Sequence, residues 1–217
     1  MLKKKIDEAK IGVLKIHGNY ATISGDPVAL CQKTFGIETD ESKLGLLKAG
    51  EIYSEYWADL GVKEIVCFRA PMSAANNIRK MKIADSPEIR RWYKYMHVVN
   101  VLNAHDSFCH ALNGCDFDGD ALITTDNKVL LENTRDLPAI MCAQRKAEKK
   151  IITEELLVEA NQNSFGDEIG TTTNHITAMY DLLPLFDKDS EEYKTLEYRI
   201  MCGQLYQQNC IDRTKGI

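Results

Sequence analysis

The stretch Leu112-Asn-Gly-Cys-Asp-Phe-Asp-Gly-Asp-Ala-Leu-Ile123 sets three aspartates, Asp116, Asp118 and Asp120, at alternate positions within five residues. Carboxylates gathered in one loop repel one another unless a cation sits between them. Hard oxygen ligands of this kind suit Mg²⁺, with Mn²⁺ as the alternative. Gly119 permits the sharp turn that lets the acids converge. Several chemistries fit such a loop. A calcium loop of the EF-hand type needs glycine at its sixth position and glutamate at its twelfth. Counted from Asp116, the glycine is fourth and the twelfth residue is Asn127, which excludes that reading. A solvated acidic turn with no ligand is the common fate of an Asp-Gly loop. A catalytic divalent-metal site for phosphoryl or nucleotidyl transfer uses the ion to offset charge on the hydroxyl and the phosphates. Three acids at this density, between apolar segments that would mount the loop rigidly, favour the catalytic site. A metal-dependent nuclease would use the same ligands.

The rest of the chain must supply that mounting. Its 217 residues are 44% hydrophobic and 27% charged, the balance of an ordinary globular protein of one large or two small domains. No apolar run approaches the roughly 20 residues of a membrane helix. The start, Met1-Leu-Lys-Lys-Lys-Ile-Asp-Glu, argues against a secretory signal. The formal net charge of −5 argues against a protein that coats nucleic acid by bulk charge, but it leaves room for a local basic channel. Seven cysteines, an odd number with no CxxC pair, fit a reduced, intracellular (cytoplasmic) setting and speak against a structural zinc site.

Up to about residue 125 the pattern is strand-rich. Strands are predicted at 11–16, at 20–23, at 64–71 where Pro71 closes the run, at 97–103 and at 121–125. A short helix should start at Ser24-Gly-Asp-Pro27, with Val28, Leu30 and Phe35 as its apolar positions, and another at Ser86-Pro-Glu88, running to about Met96. Helical spacing dominates after residue 150, over 153–160, 169–185 and 190–212. The charged run 145–150 between the two parts reads as a solvated connection. Strands followed by helices predict an α+β fold.

Asn113-Gly-Cys-Asp-Phe-Asp-Gly-Asp120 resembles the metal-binding signature of RNA polymerases built on two double-psi β-barrels. That family includes the largest subunit of cellular RNA polymerases, the eukaryotic RNA-silencing RNA-dependent RNA polymerases and single-chain phage RNA polymerases. Gly114 falls where the silencing type has its glycine, so the loop is similar to the silencing and phage branch. Three further stretches match in order. Phe68-Arg-Ala-Pro71 resembles the RAP segment of the cellular subunits. The run 163–175 resembles a silencing-polymerase turn entering a helix with an Asn-His pair. Gln208-Asn-Cys-Ile-Asp-Arg-Thr-Lys-Gly216 resembles that branch's AVDFPKTG stretch.

The resemblance implies a double-psi β-barrel carrying the acidic loop over residues 1–140, and a helical segment of the same polymerase core over 141–217. It implies that Asp116, Asp118 and Asp120 hold the catalytic Mg²⁺, that Arg69 faces the substrate sugar or the template, and that Lys215 lies near the nucleic acid. The implied partners are a template, the RNA product, ribonucleoside triphosphates and a second β-barrel in the same or another chain; no membrane is implied. DNA is the preferred template because phage and cellular relatives use it, with RNA close behind because the loop is silencing-like. Gly114 stands where the cellular motif has its sugar-reading asparagine, so that role is not carried over to Asn113. Family enzymes carry two barrels, and the second supplies lysines for the phosphates. The chain is therefore expected to be a piece of a longer polymerase, of phage or prophage origin on one reading, and inactive alone. The rival reading is a non-catalytic barrel module that binds nucleic acid or a polymerase subunit.

Other residues admit blander roles. His175 is a capping or packing residue as readily as a site contact. His105, Cys109, His110 and Cys115 fit no standard zinc pattern. Trp57, Trp92, Tyr53, Tyr56, Tyr93 and Tyr95 read as core or interface aromatics. The cations among them, Arg79-Lys-Met-Lys82 and Arg90-Arg91, leave a template contact open.

Overall fold

The computed structural model describes residues 2–10, 13, 15–37, 40–70, 72, 74–112, 114–139, 151–164 and 166–212. Among the described residues six strands carry the fold: β1 (Asn19–Gly25), β2 (Glu51–Ser54), β3 (Glu64–Phe68), β4 (Arg79–Ile83), β5 (Val99–Leu102) and β6 (Ala121–Thr125). They close into a barrel in the order β1-β5-β2-β4-β3-β6. Closure leaves no strand edge without a partner, which is how a small sheet avoids pairing with other chains. Helices α1 (Leu2–Lys10), α2 (Pro27–Thr34), α3 (Glu55–Asp59), α4 (Pro87–Trp92), α5 (Phe108–Ala111) and α6 (Lys128–Asn133) lie between or beside the strands. Helices α7 (Glu154–Ser164), α8 (Glu168–Leu182) and α9 (Glu191–Asp212) follow. The α+β class is therefore present, as a closed six-stranded barrel plus helices. No helix among the described residues is long and apolar enough to cross a membrane.

The chain forms two compact units. The first comprises Met1–Cys67, Lys80–Asp106 and Phe117–Thr134. Its ladder begins with β1, which pairs parallel to β5 (Thr22 opposite Val99) and antiparallel to β6 (Ala21 opposite Leu122). Strand β2 pairs antiparallel with β5 and parallel with β4. The strands bury Ile23, Ile52, Ile65, Val66, Val101, Leu102 and Leu122, and the register puts Ile52 and Leu102 on one face and Tyr53 and Val101 on the other. Trp57 is fully buried, and its indole N–H donates to Thr124 Oγ1 at 2.8 Å. Tyr53 and Tyr93 meet at a centroid distance of 5.3 Å.

A buried carboxylate organises the turn out of β1. Asp26 is the N-cap of α2, and its Oδ1 accepts from the backbone N–H of Val28 at 2.9 Å and of Ala29 at 3.2 Å. Its Oδ2 accepts from Leu46 N–H at 2.7 Å and Leu47 N–H at 3.2 Å. One side chain thus satisfies four main-chain donors from two segments. Gly45, at φ +73°, brings its backbone so close that a Cβ there would sit 2.2 Å from Asp26 Oδ2. Burial pushes the Tyr93 phenol well above its ordinary range, and the Asp26 carboxylate adds to the shift.

The second unit comprises Phe68–Arg79, Ser107–Asp116 and Arg135–Ile217. Here α8 and α9 run antiparallel, as three pairings show. Ile176 meets Gly203, Thr173 Oγ1 accepts from Gln207 Nε2, and the Cys210 thiol donates to Glu168 Oε2 at 3.7 Å. Gly203 is what lets the helices approach. A Cβ there would stand 2.8 Å from Ile176 Cγ1. The Ala75 N–H donates to Tyr180 Oη at 3.0 Å, tying the 68–79 segment to α8.

Several predicted elements shift. The strand expected at 11–16 is not formed at residues 13, 15 and 16, and the rest of that run lies outside the described residues. Leu30 and Phe35 are 69% and 75% exposed, and α2 buries Ala29 instead. Helix α4 stops at Trp92 rather than near Met96, with Tyr93 as its C-cap, buried on the same helix face as Ile89. Arg79-Lys-Met-Lys82 is β4, whose Met81 and Ile83 point into the barrel while Lys80 and Lys82 point out.

Substituting Asp26→Ala removes the acceptor of four main-chain donors. The expected loss is about 3 kcal/mol of unfolding free energy, read by urea denaturation at unchanged m-value.

Candidate metal centre

Strand β6 and its pairing with β1 position the acidic loop. The ladder between them continues past the strand end, since Ile23 N–H donates to the carbonyl of Asp120 at 2.8 Å. The third aspartate therefore sits on hydrogen-bonded backbone. On the other side, α5 leads into the loop through Gly114 N–H to His110 C=O at 3.4 Å and Cys115 N–H to Cys109 C=O at 3.0 Å. Leu112 and Cys115 are buried, which anchors that flank by apolar contact.

Between these anchors the three carboxylates converge. One oxygen from each of Asp116, Asp118 and Asp120 lies within 4.8 Å of the others. Asp116 and Asp120 are half-buried and Asp118 is exposed. Oxygens around Mg²⁺ at about 2.1 Å stand roughly 3 to 4 Å apart, so a small closing movement would bring this set to coordination distance. Three carboxylates with one exposed face fit a hard divalent cation with room for water or phosphate oxygens. Gly119 has φ +130°, a conformation that other residues rarely adopt. The Phe117 ring, between the first two aspartates, turns back on β1, where a Cβ on Gly25 would meet it at 3.3 Å.

A further brace was not legible in the sequence. Gly114 has φ +64°, and a Cβ there would fall 2.1 Å from Gln208 Nε2. The amide of Gln208, on α9, thus lies directly against the backbone two residues before Asp116. Gln204 and Gln207 are buried on the same helix, and neither amide atom of Gln204 has a hydrogen-bond partner among the described residues. Asn77 donates to the Ala111 carbonyl at 2.7 Å, holding α5 from the other direction. Buried glutamines on a helix carry no sequence signal, because the same residues are usual on a solvated face.

Other site candidates fall elsewhere. Arg69 is half-buried, immediately after β3. Lys215, Asn113, Pro71 and the run 145–150 lie outside the described residues. His175 is exposed in the middle of α8, so it neither caps the helix nor packs. His105 bonds the Leu44 carbonyl through Nε2 at 2.7 Å.

A closed six-stranded barrel thus carries an aspartate triad beside its last strand. The structure is similar to part of the RNA-dependent RNA polymerase QDE-1 from Thielavia terrestris, with a TM-score of 0.60 and 13% sequence identity over 99% of this chain. The chain spans 24% of that polymerase's length. At this identity the likeness is one of fold. No family model and no curated protein matches the chain.

Gly114→Ala should cost about 2 kcal/mol, from the left-handed backbone and the displaced Gln208 amide together. Adding Gln208→Ala removes the collision but not the backbone strain, so the double variant should recover about half in urea denaturation. A double variant no more stable than Gly114→Ala would show that the Gln208 contact does not hold the loop.

Proposed function

We propose that this chain is the metal-binding part of an RNA polymerase catalytic core, performing templated nucleotidyl transfer from ribonucleoside triphosphates. The observation that carries the reading is the aspartate triad, mounted at the start of β6 in a barrel whose fold is shared with an RNA-dependent RNA polymerase. On this reading the barrel is of the double-psi type. Residues 1–140 form the metal-bearing part and 141–217 the helical part of one core. Asp116, Asp118 and Asp120 bind Mg²⁺, with Mn²⁺ able to replace it. A divalent ion held there would offset the charge that develops between the RNA 3′-hydroxyl and the nucleotide phosphates. Arg69 and Lys215 are assigned to the substrate or the nucleic acid.

The similar polymerase is RNA-directed. That supports an RNA template over the DNA template favoured by the phage and cellular resemblance. A reaction of this kind also needs cations around the triphosphate. A second barrel, in the same or another chain, is proposed to supply them, so residues 1–217 alone should synthesise nothing. An intracellular setting follows from the reading, and a phage origin stays compatible with it.

RNA synthesis by the longest chain the gene encodes tests this, with Mg²⁺, four nucleotides, and single-stranded RNA and DNA templates in parallel. Product on RNA that falls at least about a hundredfold in Asp118→Ala is the expected outcome. A chain with both barrels that makes no product on either template would favour the non-catalytic module. A labelled strand degraded without nucleotides would indicate a nuclease.

A further inference from the structure

Segment 88–98 presents a surface that the metal centre does not use. Within Glu88-Ile-Arg-Arg-Trp-Tyr-Lys-Tyr-Met-His-Val98, one aromatic is an anchor and two are displayed. Tyr93 is 1% exposed and packs on Tyr53. It is the C-cap of α4, on the buried face that Ile89 shares, while Trp92 is 61% and Tyr95 79% exposed. Each displayed ring carries its own cation. Arg91 Cζ lies 6.0 Å from the Trp92 ring centre, and Lys94 Nζ lies 5.1 Å from that of Tyr95. Val98 ends the segment at φ +55°, a strained conformation for a β-branched residue, with its side chain exposed.

The charges within the segment are unequal in availability. Arg90 is committed, with Nε donating to Asp85 at 2.6 Å and a guanidinium nitrogen donating to Asp59. That pairing holds Asp85 below the usual carboxylate range. His97 bonds Glu55 at 2.6 Å. Arg91 and Lys94 are exposed and have no ion pair among the described residues. Two uncommitted cations therefore alternate with two exposed rings on a chain whose net charge is −5.

We propose that this segment binds single-stranded nucleic acid, with bases stacked on Trp92 and Tyr95 and phosphates met by Arg91 and Lys94. Every base has a π-face, so stacking tolerates any sequence, and alternating cations follow the backbone. Bases held in a duplex are already stacked and do not offer those faces. The surface is separate from the metal chemistry and would bind in its absence.

The two tryptophans make a direct test, since Trp57 is fully buried and Trp92 is exposed. Oligouridylate, oligothymidylate and an RNA duplex are titrated into the chain in EDTA, with tryptophan fluorescence as the readout. Both single strands should quench the Trp92 emission, increasingly at low salt, and the duplex should not. Trp92→Phe should abolish the quenching while leaving Trp57 emission intact. Tyr95→Ala and Arg91→Glu should each weaken binding about tenfold. Absence of quenching with the wild-type chain would overturn the proposal, as would binding that Trp92→Ala and Tyr95→Ala leave unchanged. Self-association in sedimentation, removed by Trp92→Ala, would assign the surface to a second copy instead. Because no metal or nucleotide is present, loss of this binding and loss of polymerase activity are separate results.

Discussion

The pairing of β1 with β6 is the constraint on which the site depends. These strands lie about a hundred residues apart in the chain, and their antiparallel ladder closes the barrel. The ladder does not stop at the strand end. Its last bond, from Ile23 N–H to the Asp120 carbonyl, belongs to the acidic loop itself. Carboxylates that repel one another can be gathered only by a backbone that does not yield, and this ladder supplies one such anchor. Gly25 follows two residues after Ile23 and gives the Phe117 ring its seat.

The opposite flank is held by amides. Asn77 fixes α5 through the Ala111 carbonyl, and Gln208 lies on Gly114. A buried amide beside a glycine does what an apolar side chain cannot, since it can offer a donor or an acceptor to exposed backbone. The same logic appears at Asp26, where one carboxylate organises two turns through four main-chain N–H groups. Polar side chains that serve backbone, not solvent, recur through the elements that carry this fold.

The sequence made some of this readable. β6 was legible at its observed limits because Ala121-Leu-Ile-Thr-Thr125 is a branched run bounded by Asp120 and Asp126. Asp26-Pro27 announced α2 through capping chemistry that depends on two adjacent residues alone. The aspartate triad was legible because its density has few physical explanations. What local pattern could not supply was burial decided at long range. Leu30 and Phe35 look like core but face out, Gln204 and Gln207 look like surface but face in, and Lys-flanked Met81 sits on a barrel strand. Trp92 and Tyr93 are neighbours of similar chemistry with opposite fates: Tyr93 shares the buried helix face of Ile89 and meets Tyr53, and Trp92 faces out.

On the proposed reading the three aspartates form one divalent-cation site. The most direct measurement is Mn²⁺ binding to this chain by electron paramagnetic resonance, for the wild type and for Asp118→Ala, with thermal unfolding recorded in parallel. One Mn²⁺ per chain should bind and raise the wild-type Tm. In Asp118→Ala, affinity should fall at least about tenfold and Mn²⁺ should no longer raise the Tm, while the metal-free Tm stays close to the wild-type value. Equal Mn²⁺ affinity in the two proteins would contradict it and leave the loop a solvated acidic turn.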